Sequence, residues 1–415
     1  MGPESTTRQR MVVLAALYVS QAIPLGFFII ALPAILRREG LGLERLGLLG
    51  ALALPWLLKF LWAPLVDRFG SARFGHYRSW IVPLQALSAL SVLATSFFSP
   101  ADGITPLVLA GAAFMLCSAT QDVATDGLAV HNLQAVERGP ANGIQVGGYY
   151  LGQILGGGVM LLLFDRFGWR PAMAAMAVFL ALPLIPVLRF HEPASRGENA
   201  GARRRVDFAA MGRFLARPGA VTWVAILLLY RAGEAMALTM LNPMLVDRGL
   251  TLESIGLMLG LTGSLAALGG ALAGGILVHR VGRKRSLYLF GGLQACALCA
   301  YLLPAFGFVA PLVVYAAAVT AAFAGGLATA SLYTNMMDRS DRRTAATDFT
   351  LQQSLCAVGP LVGSTLSGFS AARLGYPTHF FLCSLVALVA AVLVARRLTA
   401  RHAAPALEAA VVETA

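Results

Sequence analysis

A chain of 415 residues with 58% hydrophobic and only 13% charged positions is no set of soluble domains, because soluble proteins carry about a quarter charged residues to cover their surfaces. The hydrophobic share suits about twelve membrane helices of about 20 residues each. A formal charge of +12 would also suit a nucleic-acid binder, so the placement of the basic residues has to decide that point.

Apolar runs fall near 11–36, 46–66, 79–99, 105–131, 141–164 and 170–189, and again near 219–246, 252–278, 286–306, 309–337, 347–371 and 377–397. Each is long enough to cross about 30 Å of hydrocarbon as a helix, and none alternates as a membrane β-strand does. An all-α membrane protein of twelve transmembrane helices is expected. The first ten residues are polar, and the run behind them exceeds a secretory h-region and lacks a small-residue cleavage site, so it reads as a retained helix. The polar stretch after His191 divides the chain into an N-terminal bundle (1–190), a basic cytoplasmic linker (191–218) and a C-terminal bundle (219–398). The Ala-rich tail (399–415) reads as disordered and cytoplasmic.

With both termini cytoplasmic, most of the 32 Lys and Arg lie in inside segments. The densest groups run from Arg189 to Arg217 and over Arg280, Arg283, Lys284 and Arg285. That is the positive-inside pattern, so the basic excess is topological and no nucleic acid is implied. Five cysteines show no disulfide framework or paired metal spacing. Cys296 and Cys299 form a C-x-x-C inside a membrane helix, which favours helix packing over redox chemistry. No metal, cofactor or nucleotide site is indicated, since no glycine-rich stretch follows a strand.

The halves echo one another. Leu41–Gly47 matches Leu250–Gly256 at an offset of 209, and Val66–Gly70 matches Val278–Gly282 at 212. Ala119-Thr120 pairs with Ala328-Thr329, and Gln145 with Gln352. A nearly constant offset points to two parallel six-helix repeats, an arrangement that places a transport site between halves. The loops after the second and eighth runs, containing Asp67, Arg68, Gly70 and Arg73 and then His279, Arg280 and Gly282, resemble the loop signature of the major facilitator superfamily. Glycine permits a sharp turn there, and an acid at the helix end can pair with a neighbouring helix and latch one state. Ala63 and His279 replace the usual Gly and Asp of the two copies. The alternative reading makes these residues positive-inside anchors, and it covers Arg283 to Arg285.

Ionisable groups inside spans are expensive and therefore informative. Lys59 lies in the second run, eight residues or about 12 Å of helix from Asp67. In the fourth, Gln121-Asp122-Val123-Ala124-Thr125-Asp126 places two carboxylates on one helix face, where each opposes ionisation of the other. Protonation of the Asp122/Asp126 pair would loosen its hold on Lys59 and couple a proton to a conformational switch. The bland alternative is an ion pair that fixes packing. In the seventh run, Arg231 is a candidate contact for a carboxylate, or is simply neutralised by Glu234. Gln21, Gln145, Tyr149, Gln153, Asn242, Tyr333, Asn335 and Gln352, with Gln121, would line a central cavity; singly, each also suits a helix-to-helix hydrogen bond. Pro24, Pro33, Pro55 and Pro64 mark kinks, and Gly156-Gly157-Gly158, Gly269-Gly270 and Gly274-Gly275 suit close helix approach.

The stretches Tyr18–Phe27 (YVSQAIPLGF), Leu54–Asp67 (LPWLLKFLWAPLVD), Thr120–Val130 (TQDVATDGLAV) and Arg78–Gln85 (RSWIVPLQ) resemble the AmpG-like branch of that superfamily, and within it look most like the RhtX/FptX siderophore importers. The resemblance implies a monomeric, proton-coupled symporter of the bacterial inner membrane that imports a siderophore, free or iron-loaded, without ATP. Muropeptide permeases and acetyl-CoA carriers share the lysine and aspartate motifs and are the alternatives. Lys59, Asp122 and Asp126 occupy shared positions, which suits coupling or gating, and leaves substrate choice to spans seven to eleven. A membrane enzyme or sensor on a transporter scaffold is the rival class. It lacks a His/Cys/Asp cluster within one span, His131 and His379 lying at span ends, and it lacks a soluble output domain.

Overall fold

The computed structural model describes residues 6–38, 52–71, 73–98, 104–192 and 206–398. Leu41–Gly47, the start of the second apolar run, residues 193–205 of the linker and the tail at 399–415 lie outside the described residues.

Helix α1 (Thr7–Gly26) opens on a capping box between Thr6 and Gln9. It passes into a wider π turn, Phe27–Ala31, and then into a helix over Leu32–Arg38. The π turn lies between Pro24 and Pro33, where missing N–H donors loosen the ladder. The second apolar run is not one helix. Pro55 and Pro64 sit at the starts of α2 (Leu54–Leu58) and α3 (Ala63–Arg68), and a 3₁₀ turn, Lys59–Leu61, joins them. The 12 Å of helical rise expected from Lys59 to Asp67 therefore does not apply: two prolines start new helices where one would have run on.

Helices α4 (Arg78–Thr95), α5 (Ile104–Asn132), α6 (Ala135–Gln153) and α7 (Trp169–Ala181) follow. A basic connection with a short helix at Ala209–Leu215 leads to α8 (Ala220–Tyr230) and α9 (Ala232–Asp247). The last four are α10 (Ser264–Val281), α11 (Arg283–Leu298), α12 (Pro311–Arg339) and α13 (Ala345–Arg397). Gly375, at φ 76°, turns α13 into two pieces between the last two apolar runs. Among the described residues the only β pairing is an isolated bridge between Ser71 and Gly75. Eight helices among them are long and apolar enough to cross a membrane by length and composition, so the chain is an all-α, multi-pass membrane protein.

The chain forms two compact units, Met1–Leu133 with Gly148–Ala210 and Asp341–Thr350, and Gln134–Gly147 with Met211–Ser340 and Leu351–Ala415. The first has a core of Ile23, Phe27, Phe114, Met115, Met173 and Met176, and the second one of Leu241, Met244, Leu298, Tyr301, Ala317 and Phe380. Large apolar side chains such as Leu162, Val221 and Leu312 face outward while Asp126, Asn142, Gln352 and His379 are enclosed, the polarity expected where lipid is the solvent. Close helix approach uses most of the expected glycines. A methyl group on Gly274 would stand 2.8 Å from the Leu327 carbonyl, and one on Gly156 would overlap that of Ile23; Gly158 faces open space.

Candidate functional site

In the first unit, α1 and α4 pack on α5, and α5 meets the turn that carries Lys59. The 3₁₀ turn holds the lysine 5.2 Å over the Trp56 ring and presents its Nζ to Asp122 Oδ2 of α5. One helical turn on, Asp126 accepts a hydrogen bond from the Tyr18 hydroxyl at 2.9 Å and lies within electrostatic reach of Asp122 and Lys59. Beside them Gln21 donates to Thr125 Oγ1 at 2.8 Å, while Gln121 donates to Gln85, which reaches the Leu180 carbonyl. Lys59 and Asp122 are 4% exposed and Asp126 is 0% exposed. Such groups persist in a dry interior only when paired and hydrogen-bonded. The structure thus brings Lys59, Asp122 and Asp126 together and adds Tyr18 and Gln85, which residue-by-residue reading missed. Tyr18 stands three positions before Gln21, on the same helix face, and that spacing was the available signal.

A second constellation surrounds Asp67. Its carboxylate accepts from the Ala346 and Thr347 amides at 3.0 and 2.8 Å, from Thr347 Oγ1 at 2.6 Å and from the Tyr77 hydroxyl at 3.1 Å. It thereby caps the first turn of α13, where free N–H groups and the helix dipole favour an anion. Burial lifts the Asp67 pKa above the ordinary carboxylate value even though these donors pull it down. Burial, and then the neighbouring Asp67 charge, push the Tyr77 phenol well up, so it remains a donor. Gly70 is required for space rather than for an unusual backbone angle, since a side chain there would overlap the His76 ring, whereas Gly282 turns at φ 91°. Arg68 lies over the Phe69 ring and Arg73 is exposed.

In the second unit His279 and Arg280 are exposed, and the pairing falls to Arg283 instead. Its Nε is 2.6 Å from Asp338 Oδ2, and Arg138 Nη1 is 2.9 Å from Oδ1 of the same carboxylate. Arg283, expected only as a positive-inside anchor, thus also carries an ion pair. The half-buried Asp338 offers two oxygens, and two arginines share them. Arg283 also donates to the Ala135 carbonyl.

The expected cavity residues divide by environment. Gln352 accepts from Trp223 Nε1 at 2.8 Å and donates to the Met336 carbonyl at 3.0 Å, and Asn335 of α12 donates to the Arg283 carbonyl of α11 at 3.2 Å. Both join helices. Gln145 is buried, Tyr149 and Asn242 are exposed, and Tyr333 is half-buried. Arg231 occupies the break between α8 and α9, with Nε 3.6 Å from Glu234 Oε2. A small apolar crevice in the first unit is lined by Phe27, Phe28, Leu107, Phe114 and Trp169, none of them an expected cavity residue. Among the described residues no three His, Cys, Asp or Glu side chains are placed to hold a metal ion.

Residues 14–357 match the family model described as Major Facilitator Superfamily. The chain is similar to the Anhydromuropeptide permease of Escherichia coli K12, at 29% identity over 383 residues, 92% of this chain and 78% of that one. It is also similar to the Putative transporter AmpG 4 of Rickettsia felis, at 26% identity over 294 residues, 68% of this chain and 71% of that one. Among solved structures, the human organic anion transporter MFSD10 superposes with a TM-score of 0.69 at 15% identity, over 94% of this chain and 100% of that one, which is a likeness of fold. Neither bacterial relative has a siderophore in its name, so support for the siderophore branch is missing. The chain belongs to the Major Facilitator Superfamily, in its AmpG-like branch, and is a membrane transport protein rather than an enzyme.

Proposed function

We propose that this protein imports an anhydromuropeptide-type solute across a bacterial inner membrane as a proton-coupled carrier, with twelve spans in two parallel repeats, both termini cytoplasmic, and alternating access. The observation that carries the coupling is the buried trio of one lysine and two aspartates. A site holding Lys59, Asp122 and Asp126 is neutral only when one aspartate carries a proton, because an unbalanced charge in so dry a place is costly. Proton gain and loss at the Asp122/Asp126 pair then changes the grip on Lys59, and with it the packing of the 3₁₀ turn on α5. The substrate class leans on the relatives' names, which favour a muropeptide over the siderophore suggested by the motif stretches. Asp67 on α13, and Asp338 between Arg138 and Arg283, serve as latches that one access state makes and the other breaks.

The test is uptake into proteoliposomes of a radiolabelled anhydromuropeptide, with a ferric siderophore and acetyl-CoA in parallel. The reading expects accumulation of the muropeptide, abolished by a protonophore and by Asp122→Asn or Asp126→Asn. Accumulation of the ferric siderophore alone would restore the other substrate; unchanged protonophore sensitivity in both variants would remove the coupling role.

A further inference from the structure

The pair at the break between α8 and α9 is built differently from the lysine site. Arg231 leaves the helical path, at φ −105° and ψ −5°, and stands before the first turn of α9, whose free N–H groups add positive potential. Its side chain is 31% exposed whereas that of Glu234 is 8% exposed, and at 3.6 Å their contact is an ion pair without a hydrogen bond to Glu234 Oε2. Glu234 Oε1 faces Gly325 of α12 so closely that a side chain there would overlap it. On the same spot bears Gln294 Nε2 of α11, only 3.5 Å from where that side chain would begin. Gln294 is 1% exposed, and its amide nitrogen has no hydrogen-bond partner. A buried donor left without an acceptor is costly unless some state of the protein uses it. Among the described residues, Arg231, Tyr230 of α8, Tyr301 in the turn after α11 and Cys356 of α13 lie within electrostatic reach of Glu234, and Arg231 is the cation of that set.

We propose that Arg231 binds a carboxylate of the transported solute and that Glu234 is its resident competitor, taking up one proton when the solute captures the arginine. The proposal rests on the reading of the chain as a carrier of peptide-bearing solutes. Before binding, the site holds Arg231 as cation and Glu234 as anion. Afterwards it holds Arg231 paired with the solute carboxylate and Glu234 as neutral acid, its proton drawn from the aqueous side, with Gln294 Nε2 donating to the acid's carbonyl oxygen. Buried charge is zero in both states. Capture without protonation would strand one negative charge, which couples one proton to each carboxylate bound. The more exposed partner is the one that must be reached, and the more enclosed is the one that must be neutralised.

Infrared difference spectroscopy on the full-length protein in lipid tests this, with N-acetyl-D-alanyl-D-alanine and its C-terminal amide as probes. The acid should produce a protonated-carboxyl C=O band that the amide does not. The band should vanish in Glu234→Gln and survive, displaced, in Glu234→Asp, which guards against a folding defect. Arg231→Gln should lower affinity for the acid at least ~10-fold and leave the amide unaffected. No band in the wild-type protein, the same band in Glu234→Gln, or unchanged discrimination in Arg231→Gln would each overturn the proposal. Failure of the protein to transport an anhydromuropeptide while the band persists would remove the substrate reading and leave this exchange standing. Transport without a Glu234 band would do the reverse.

Discussion

The lysine–aspartate site of the first unit and the arginine–glutamate site of the second contain the same kind of charges, held in opposite ways. Around Lys59 the acids are bonded to Tyr18 and to the lysine, and the neighbouring amides to Gln85, Thr125 and one another, with almost nothing exposed. Around Arg231 the contact is loose, the cation is half-open and an amide nitrogen nearby lacks an acceptor. A network in which the cation is held directly by a buried carboxylate, even with Gln21 Oε1 left over, resists change and suits a switch thrown by a proton. A slack pair suits partner exchange. The lesson is that buried charges have to be judged by their unused hydrogen-bonding capacity, not by depth alone.

The largest effect should come from Lys59→Ala, which leaves Asp122 and Asp126 without a cation. A loss of about 3–5 kcal/mol is expected, read as a lowered melting temperature in lipid and partly recovered by adding Asp122→Asn. Asp338→Ala should come next, because it strands Arg138 and Arg283 together; the loss should exceed that of Arg283→Ala, which leaves Asp338 with Arg138. Tyr18→Phe removes one donor to a buried carboxylate and should cost about 1–3 kcal/mol, far more than Tyr149→Phe, whose ring is exposed. A result in which Lys59→Ala and Arg231→Ala destabilise equally would erase the contrast between the two sites.

The smallest expected effect is a pH response at Asp67. Its raised pKa means that it loses its charge at a higher pH than a surface aspartate does. Because the closed contact binds that proton more readily than an opened, exposed Asp67 does, the hydrogen-exchange protection of the Ala346 and Thr347 amides, corrected for intrinsic rates, should rise as pH drops through that window. Asp67→Asn should flatten the dependence. A pH-independent protection in the wild-type protein would remove Asp67 from the latch.

Much of this was legible beforehand because membrane helices announce themselves by length and composition. The spacing of Asp122 and Asp126 on one face, with Lys59 in a neighbouring span, was enough to mark the polar centre of the first unit. What spacing could not convey was who else comes. Tyr18 and Gln85 lie on helices far apart in the chain from α5, and Asp338 reads as an ordinary span-end acid until Arg138 and Arg283 are found on it. Asn335 and Gln352 show the converse, since polar residues inside spans look alike whether they face a cavity or tie helices together.

By itself the sequence determined the all-α membrane class and the position of most turns, because hydrocarbon tolerates only helices or closed barrels and because glycine and proline act locally. Tertiary structure alone decided that the second apolar run is two short helices around a 3₁₀ turn, that Asp67 caps α13, and that Arg231 pairs loosely while Lys59 pairs tightly. Those outcomes turn on distances of a few ångströms between segments remote in the chain, and pairing energies of charges depend on such distances and on the water excluded around them.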